Sequence, residues 1–303
     1  MTVSWLRVAS SGVLAFGIAL NACSRLPSPT ARRAVADVDT ATVAVNGTHI
    51  FYEAAGHGPV VVLLHSGDLD RRQWDPQFLA LAREHRVIRY DARGYGRSGR
   101  ADSAFRANED LHALLGALNV SRVSLIGSSL GGRIAIDFAL AQPQMVDRLV
   151  LAAPGLSGWQ FARGDTSWLP EARAARDRGD WAGIALAWLK QDYMRPAMER
   201  PELAAHLRKI AGDNGAFWKD VVRLNGEVDQ QGTPLAIHRT SLVTAPTLLI
   251  VGTRDTRDIM GIADTLSASM PHIRRVTFEG AGHMVNLEQA ERFTMLALEF
   301  LRP

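Results

Sequence analysis

The sequence predicts an α/β protein, a mostly parallel sheet flanked by helices with a helical insertion as a cap. Three observations predict it. Short runs of Val, Leu and Ile recur without polar alternation, as in strands buried on both faces. Segments with helical spacing lie between them and supply the crossovers that parallel pairing needs. The alternation breaks once, between residues 156 and 240, where helical patterns continue without a clear strand.

Composition narrows the function classes. Of the 303 residues, 47% are hydrophobic and 21% charged, which sets aside disorder and fibrous repeats. The formal charge of +3 is spread along the chain, and Lys190, Lys209 and Lys219 are the only lysines among 34 basic residues. No basic stripe results, so nucleic acid is not an expected partner. The lone Cys23 excludes an intramolecular disulfide framework.

The chain begins with a segment that reads as an address. Arg7 precedes an uncharged stretch, residues 8–20, which ends in Leu20-Asn21-Ala22-Cys23. That stretch is too short for the roughly 20 residues of a membrane-crossing helix, so residues 1–22 are expected to be a signal peptide. Leu-x-Ala-Cys resembles the lipobox of bacterial lipoproteins. That resemblance implies a diacylglyceryl group on Cys23 and a membrane tether in the bacterial cell envelope, with ordinary secretion to the periplasm or beyond as the alternative. Residues 23–40 read as a flexible tether.

From residue 41 the elements follow in order. Residues 41–45 and 48–53 flank Asn46-Gly47, the sequence of a tight hairpin turn. Apolar runs at 60–64, 87–90, 123–126, 149–152, 247–251 and 275–278 supply the remaining strands, and helical spacing at 74–82, 108–118, 130–141 and 287–301 supplies helices. Residues 41–155 and 241–303 thus form the expected core, and 156–240 the expected cap. Five of the seven tryptophans fall in that cap, where they either line a small-molecule cleft or fill the insertion's own core.

The chemistry begins at Gly127-Ser128-Ser129-Leu130-Gly131, a G-x-S-x-G string that follows a strand and opens an apolar helix. Such a turn strains its central residue and projects the Ser129 hydroxyl above the sheet, while the helix start aims the Leu130 N–H at a developing oxyanion. A serine hydroxyl needs an adjacent base. Of nine histidines, His283 is best placed, in Glu279-Gly280-Ala281-Gly282-His283 after the last apolar run. The base needs a carboxylate, and Asp255 stands just past strand 247–251, with Asp258 as the other candidate. Metal ligation has no motif, and no cofactor is expected: Gly94-x-Gly96-x-x-Gly99 resembles a dinucleotide fingerprint, but no apolar helix follows it.

As a set, these features resemble the α/β-hydrolase superfamily from residue 41 to the end, with the order Ser129, Asp255, His283. His65-Ser66-Gly67-Asp68 is similar to that family's oxyanion loop, although Ser66 replaces the usual Gly. The similarity implies Gly67 N–H as the second oxyanion donor beside Leu130, or Asp68 N–H if the loop shifts by one. Asp91-Ala92-Arg93-Gly94-Tyr95-Gly96-Arg97-Ser98 is similar to the family's D-x-R-G-x-G-x-S loop. The expected function is a serine hydrolase acting on a small carboxylic ester or lactone through an acyl-serine intermediate. A C–C bond hydrolase, an aminopeptidase of the same fold, and a membrane-tethered ligand-binding module with slow turnover are the alternatives.

Overall fold

The computed structural model describes residues 37–162, 166–224, 226, 228–232 and 234–302. The expected signal peptide, Cys23 and all but the end of the expected tether lie outside these residues. Eight strands form one sheet in the order β1-β2-β4-β3-β5-β6-β7-β8. They are β1 (Val38–Val45), β2 (Thr48–Ala55), β3 (Val60–Leu64), β4 (Arg86–Tyr90), β5 (Val123–Ser128), β6 (Val146–Ala152), β7 (Thr247–Gly252) and β8 (Ile273–Phe278). β1 and β2 pair antiparallel across the Asn46-Gly47 turn, where both residues have positive φ, and β2 also runs antiparallel to β4. All other pairings are parallel.

β1 begins at Val38, pairing it with Ala55, so residues 38–40 extend a strand rather than a tether. Its outer position leaves most of it exposed, which explains why no apolar run marks its start.

Helices cover both faces of the sheet, and the strands show why their runs are continuous. In β3, Val62 and Leu64 pack with α2 (Ala107–Ala117) and α3 (Leu130–Ala141) in one cluster, whereas Val61 and Leu63 join Trp74 and Phe78 on the opposite face. β7 alternates likewise, Leu249 and Val251 to one side and Leu248 and Ile250 to the other. Each fully buried aliphatic side chain of this kind stabilises the fold by about 1.5–3 kcal/mol. The second face is closed by α1 (Asp75–Leu81) and the terminal helices. The expected helix 287–301 divides into α10 (Val285–Glu288) and α11 (Ala290–Leu301), with Gln289 between them at ψ 57°. The cap helices are α4 (Leu169–Asp177), α5 (Trp181–Trp188), α6 (Arg195–Met198), α7 (Pro201–Asp213) and α8 (Gly215–Arg223), followed by α9 (Arg257–Ser269) in the core.

Among the described residues, the regular structure of the insertion between β6 and β7 is helical apart from an isolated bridge of Asp229 to Phe105, and the insertion is fastened to the core at several points. Asn214, between α7 and α8, donates to Asp70 Oδ2 at 2.9 Å and accepts from the Gly96 N–H at 2.6 Å. Phe217 stacks on Tyr95 with ring centroids 4.2 Å apart. Among the described residues, no helix is long and apolar enough to cross a membrane.

Candidate active site

β5 ends at Ser128, and α3 starts at Leu130. Ser129, between them, has φ 51° and ψ −111°, a sparsely populated conformation for a residue with a side chain. Two glycines make that turn possible. A Cβ on Gly127 would lie 2.3 Å from the Gly131 carbonyl oxygen, and one on Gly131 would lie 2.2 Å from the Leu64 carbonyl oxygen. The backbone holds the strained residue on three sides: Ser129 N–H donates to Ala152 O, and Ser129 O accepts from Arg133 N–H and Gly155 N–H.

Asp255 and His283 arrive from the ends of β7 and β8. His283 Nδ1 lies 2.9 Å from Asp255 Oδ2, with both side chains buried. Acceptance by the carboxylate puts the proton on Nδ1, which leaves Nε2 as the free basic nitrogen. The His283 ring meets Tyr193 edge-on at 5.0 Å. Asp258, the other candidate acid, is occupied elsewhere: its Oδ1 accepts from Trp159 Nε1 at 3.0 Å, and its carboxylate also receives the Ala162 N–H.

Ser129, Asp255 and His283 line one cavity of about 890 Å³. Among the described residues the Ser129 hydroxyl forms no hydrogen bond to the imidazole; such contacts often tighten only around a substrate. Three of the five cap tryptophans, Trp168, Trp188 and Trp218, line the cavity with Phe161 and Tyr193. Trp159 serves the Asp258 contact, and Trp181 packs with Ala172, Ala175 and Ile184 inside the cap. Both readings of these aromatics therefore have examples.

The loop expected to supply an oxyanion donor is held from behind. His65 is buried, donates from Nδ1 to Ser66 O at 2.7 Å and accepts the Ala92 N–H on Nε2 at 2.9 Å. Burial lowers its pKa, which keeps the ring neutral and in that tautomer. Ser66 N–H donates to Gln73 Oε1, and its hydroxyl meets the Ser128 hydroxyl at 3.0 Å. The departure from Gly at position 66 is thus matched by a second serine just before the strained residue. Neither the Gly67 N–H nor the Leu130 N–H donates to an acceptor among the described residues. Asp68 stands at φ 58° with Oδ1 buried and unpartnered, and burial pushes its carboxyl up to about 7. The Trp218 indole works against that rise.

The glycine-rich loop after β4 is a brace. Asp91 accepts from the backbone N–H of Arg71 and Arg97 and from the Arg71 guanidinium, and Arg93 makes a two-pronged contact to Asp110 with both distances 2.8 Å. A Cβ on Gly96 would sit 2.2 Å from Asp91 Oδ2, so that glycine makes room for a carboxylate. Among the described residues no group of three or more His, Cys, Asp or Glu could hold a metal ion.

A family model described as alpha/beta hydrolase matches residues 61–295. The chain belongs to the alpha/beta hydrolase family. It is 30% identical over 226 residues to a 2-hydroxy-6-oxononadienedioate/2-hydroxy-6-oxononatrienedioate hydrolase of Burkholderia vietnamiensis, covering 72% of this chain and 77% of that one. It is 25% identical over 272 residues to 3-oxoadipate enol-lactonase 1 of Acinetobacter baylyi, covering 87% and 93%. Among solved structures, Est816, described as an N-acyl homoserine lactone degrading enzyme, superposes with a TM-score of 0.69 at 26% identity, covering 86% of this chain and all of that one. The hydrolase fold and the action of related enzymes on small molecules are therefore established for this chain's family.

One residue of this site escaped the sequence reading. Glu288, five positions past His283, accepts the N–H groups of Gly282 and Met284. A carboxylate at the start of the expected closing helix is an ordinary helix feature, so the sequence carried no signal that it turns back onto the loop.

Proposed function

We propose that the protein is a serine hydrolase that cleaves a small carboxylic ester or lactone through an acyl-serine intermediate. Its strongest support is the 2.9 Å contact between His283 Nδ1 and Asp255 Oδ2 at a cavity that also receives Ser129 from a strained turn. In this reaction Ser129 Oγ attacks the carbonyl carbon as His283 Nε2 takes its proton. The negative oxygen of the tetrahedral intermediate is received by the Leu130 and Gly67 N–H groups. The imidazolium, steadied by Asp255, passes the proton to the leaving alkoxide. Water then repeats the sequence on the acyl-enzyme, losing its proton to His283 and releasing the acid.

The similarity to an enol-lactonase and to a lactone-degrading enzyme supports an ester or lactone substrate. The similarity to a hydrolase of a 2-hydroxy-6-oxo dienedioate supports the C–C bond alternative on the same triad. Aromatic walls favour a compact substrate with an apolar body.

Fluorophosphonate labelling and p-nitrophenyl acetate turnover test the assignment. The native protein should label and turn over. Ser129→Ala should lose both, with turnover down on the order of 10⁴-fold or more, while its melting temperature is kept. Undiminished turnover in Ser129→Ala overturns the nucleophile. Rapid labelling without turnover on a panel of esters, lactones and dienoic ketones favours a ligand-binding module instead.

In the cell, the enzyme is held to the envelope by a lipidated Cys23. Membrane fractionation should be lost in Cys23→Ser, and a protein that is soluble in both forms contradicts the tether.

A further inference from the structure

We propose that Glu288 is a positioning residue for His283 and that Arg200, carried by the cap, tunes it. The proposal rests on the reading of Ser129 and His283 as nucleophile and base. His283 lies in the loop between β8 and α10, and Glu288 is the last residue of α10. Its Oε2 accepts the Gly282 N–H at 3.0 Å, and its Oε1 accepts the Met284 N–H at 3.1 Å. One carboxylate therefore grips the backbone on both sides of the base. The Glu288 side chain is fully buried, so water cannot replace it at these two amides.

The cap reaches the same place. A Cβ on Gly282 would lie 2.5 Å from Pro196 Cγ and 3.2 Å from Glu288 Oε1, so the loop is pressed between the two. Arg200, just before α7, donates to the Glu288 carbonyl oxygen, and its guanidinium lies 3.6 Å from Glu288 Oε2. The charged groups bearing on Glu288 are then Arg200 and Asp255, and His283 lies in the chain between the two gripped amides. Burial raises the Glu288 pKa, while the Gly282 N–H, Arg200 and the Met284 N–H favour the carboxylate. The geometry fits a fixed negative charge near the base whose strength depends on how the cap is seated.

Opposite charge changes on the two partners separate positioning from simple loop capping. Glu288→Gln keeps the shape and one acceptor oxygen but removes the charge. On p-nitrophenyl acetate its kcat should fall about tenfold, with KM unchanged within about twofold, because misplacing a base by a fraction of an ångström costs turnover rather than binding. Loss of a neighbouring negative charge makes His283 harder to protonate, so the acid limb of kcat/KM should move down by about half a pH unit. Arg200→Gln removes the counter-charge, so its acid limb should move up by a smaller amount, with kcat within about threefold. Glu288→Asp, which keeps the charge, should leave the limb in place while lowering kcat.

Acid limbs that do not move, or that move in the same direction for Glu288→Gln and Arg200→Gln, overturn the proposal. If Glu288→Gln fails to fold, Arg200→Gln decides alone, because that side chain is 41% exposed. Failure of the hydrolase reading looks different: the native protein then fails to label with fluorophosphonate, or Ser129→Ala remains active. A native protein that labels and turns over while both variants keep its pH profile defeats only the role of Glu288.

Discussion

The two walls of the cavity are built by different physics. On the core side, Ser129, Asp255 and His283 sit at strand ends, and their loops are tied by backbone hydrogen bonds such as Ser129 N–H to Ala152 O and Gly155 N–H to Ser129 O. On the cap side, Trp168, Trp188, Trp218 and Tyr193 line the cavity with side chains held by packing. Backbone ties fix atoms to within tenths of an ångström, whereas packed rings can shift with neighbouring side chains. Under the proposed function, chemistry falls to one wall and choice of substrate to the other.

Substitutions on the two walls should therefore differ in kind. The largest effect is expected at Asp255. Asp255→Asn should reduce kcat on p-nitrophenyl acetate by on the order of 10³-fold or more with little change in melting temperature, because the imidazole loses its carboxylate partner. An effect below tenfold would move the acid elsewhere, with Asp258 the first alternative. Next is Gly131→Ala, whose methyl group must displace the Leu64 backbone. Urea unfolding should show a loss of about 3 kcal/mol, and a neutral result would mean that the turn has more room than its close contacts indicate.

At the boundary between the walls, Asp68→Asn should stabilise the protein at pH 8. The Asp68 pKa is raised to about 7 in the folded state by burial, so between about pH 4 and pH 7 the folded chain holds a proton that the unfolded chain has lost. Its stability contribution falls as pH rises through that window. Removing the carboxyl should return about 4 kcal/mol at pH 8 and much less at pH 4, measured by denaturant titration at both. Equal effects at the two pH values would show that Asp68 is ionised throughout.

The smallest effect belongs to the cap. Trp188→Ala should change kcat/KM by no more than about tenfold on acetate esters but reorder preference between short and bulky acyl groups. A uniform loss across all acyl groups would mean that the cap wall supports the chemistry as well, which would erase the contrast.

The core wall was far more legible in the sequence than the cap wall. β3 and α3 have the predicted bounds because a strand buried on both faces and a helix opening on G-x-S-x-G leave strong local patterns. The serine turn and the residues around His283 are written in contiguous strings. What could not be read are long-range bonds between ordinary residues. His65 gave no sign that it would pin Ala92, nor Asp258 that it would hold Trp159, nor Glu288 that its carboxylate would reach Gly282. The tryptophans divided between cavity and packing for the same reason: their fate depends on which helices meet, and no local period records that.

The double use of the Ser129 carbonyl has an evolutionary corollary. Because Gly155, the residue at which the chain leaves for the insertion, is tied directly to the serine turn, the exit is anchored before the insertion begins. Segments of other lengths could be spliced in beyond that knot without disturbing the Ser129 turn, which gives one scaffold a simple route to a change of diet.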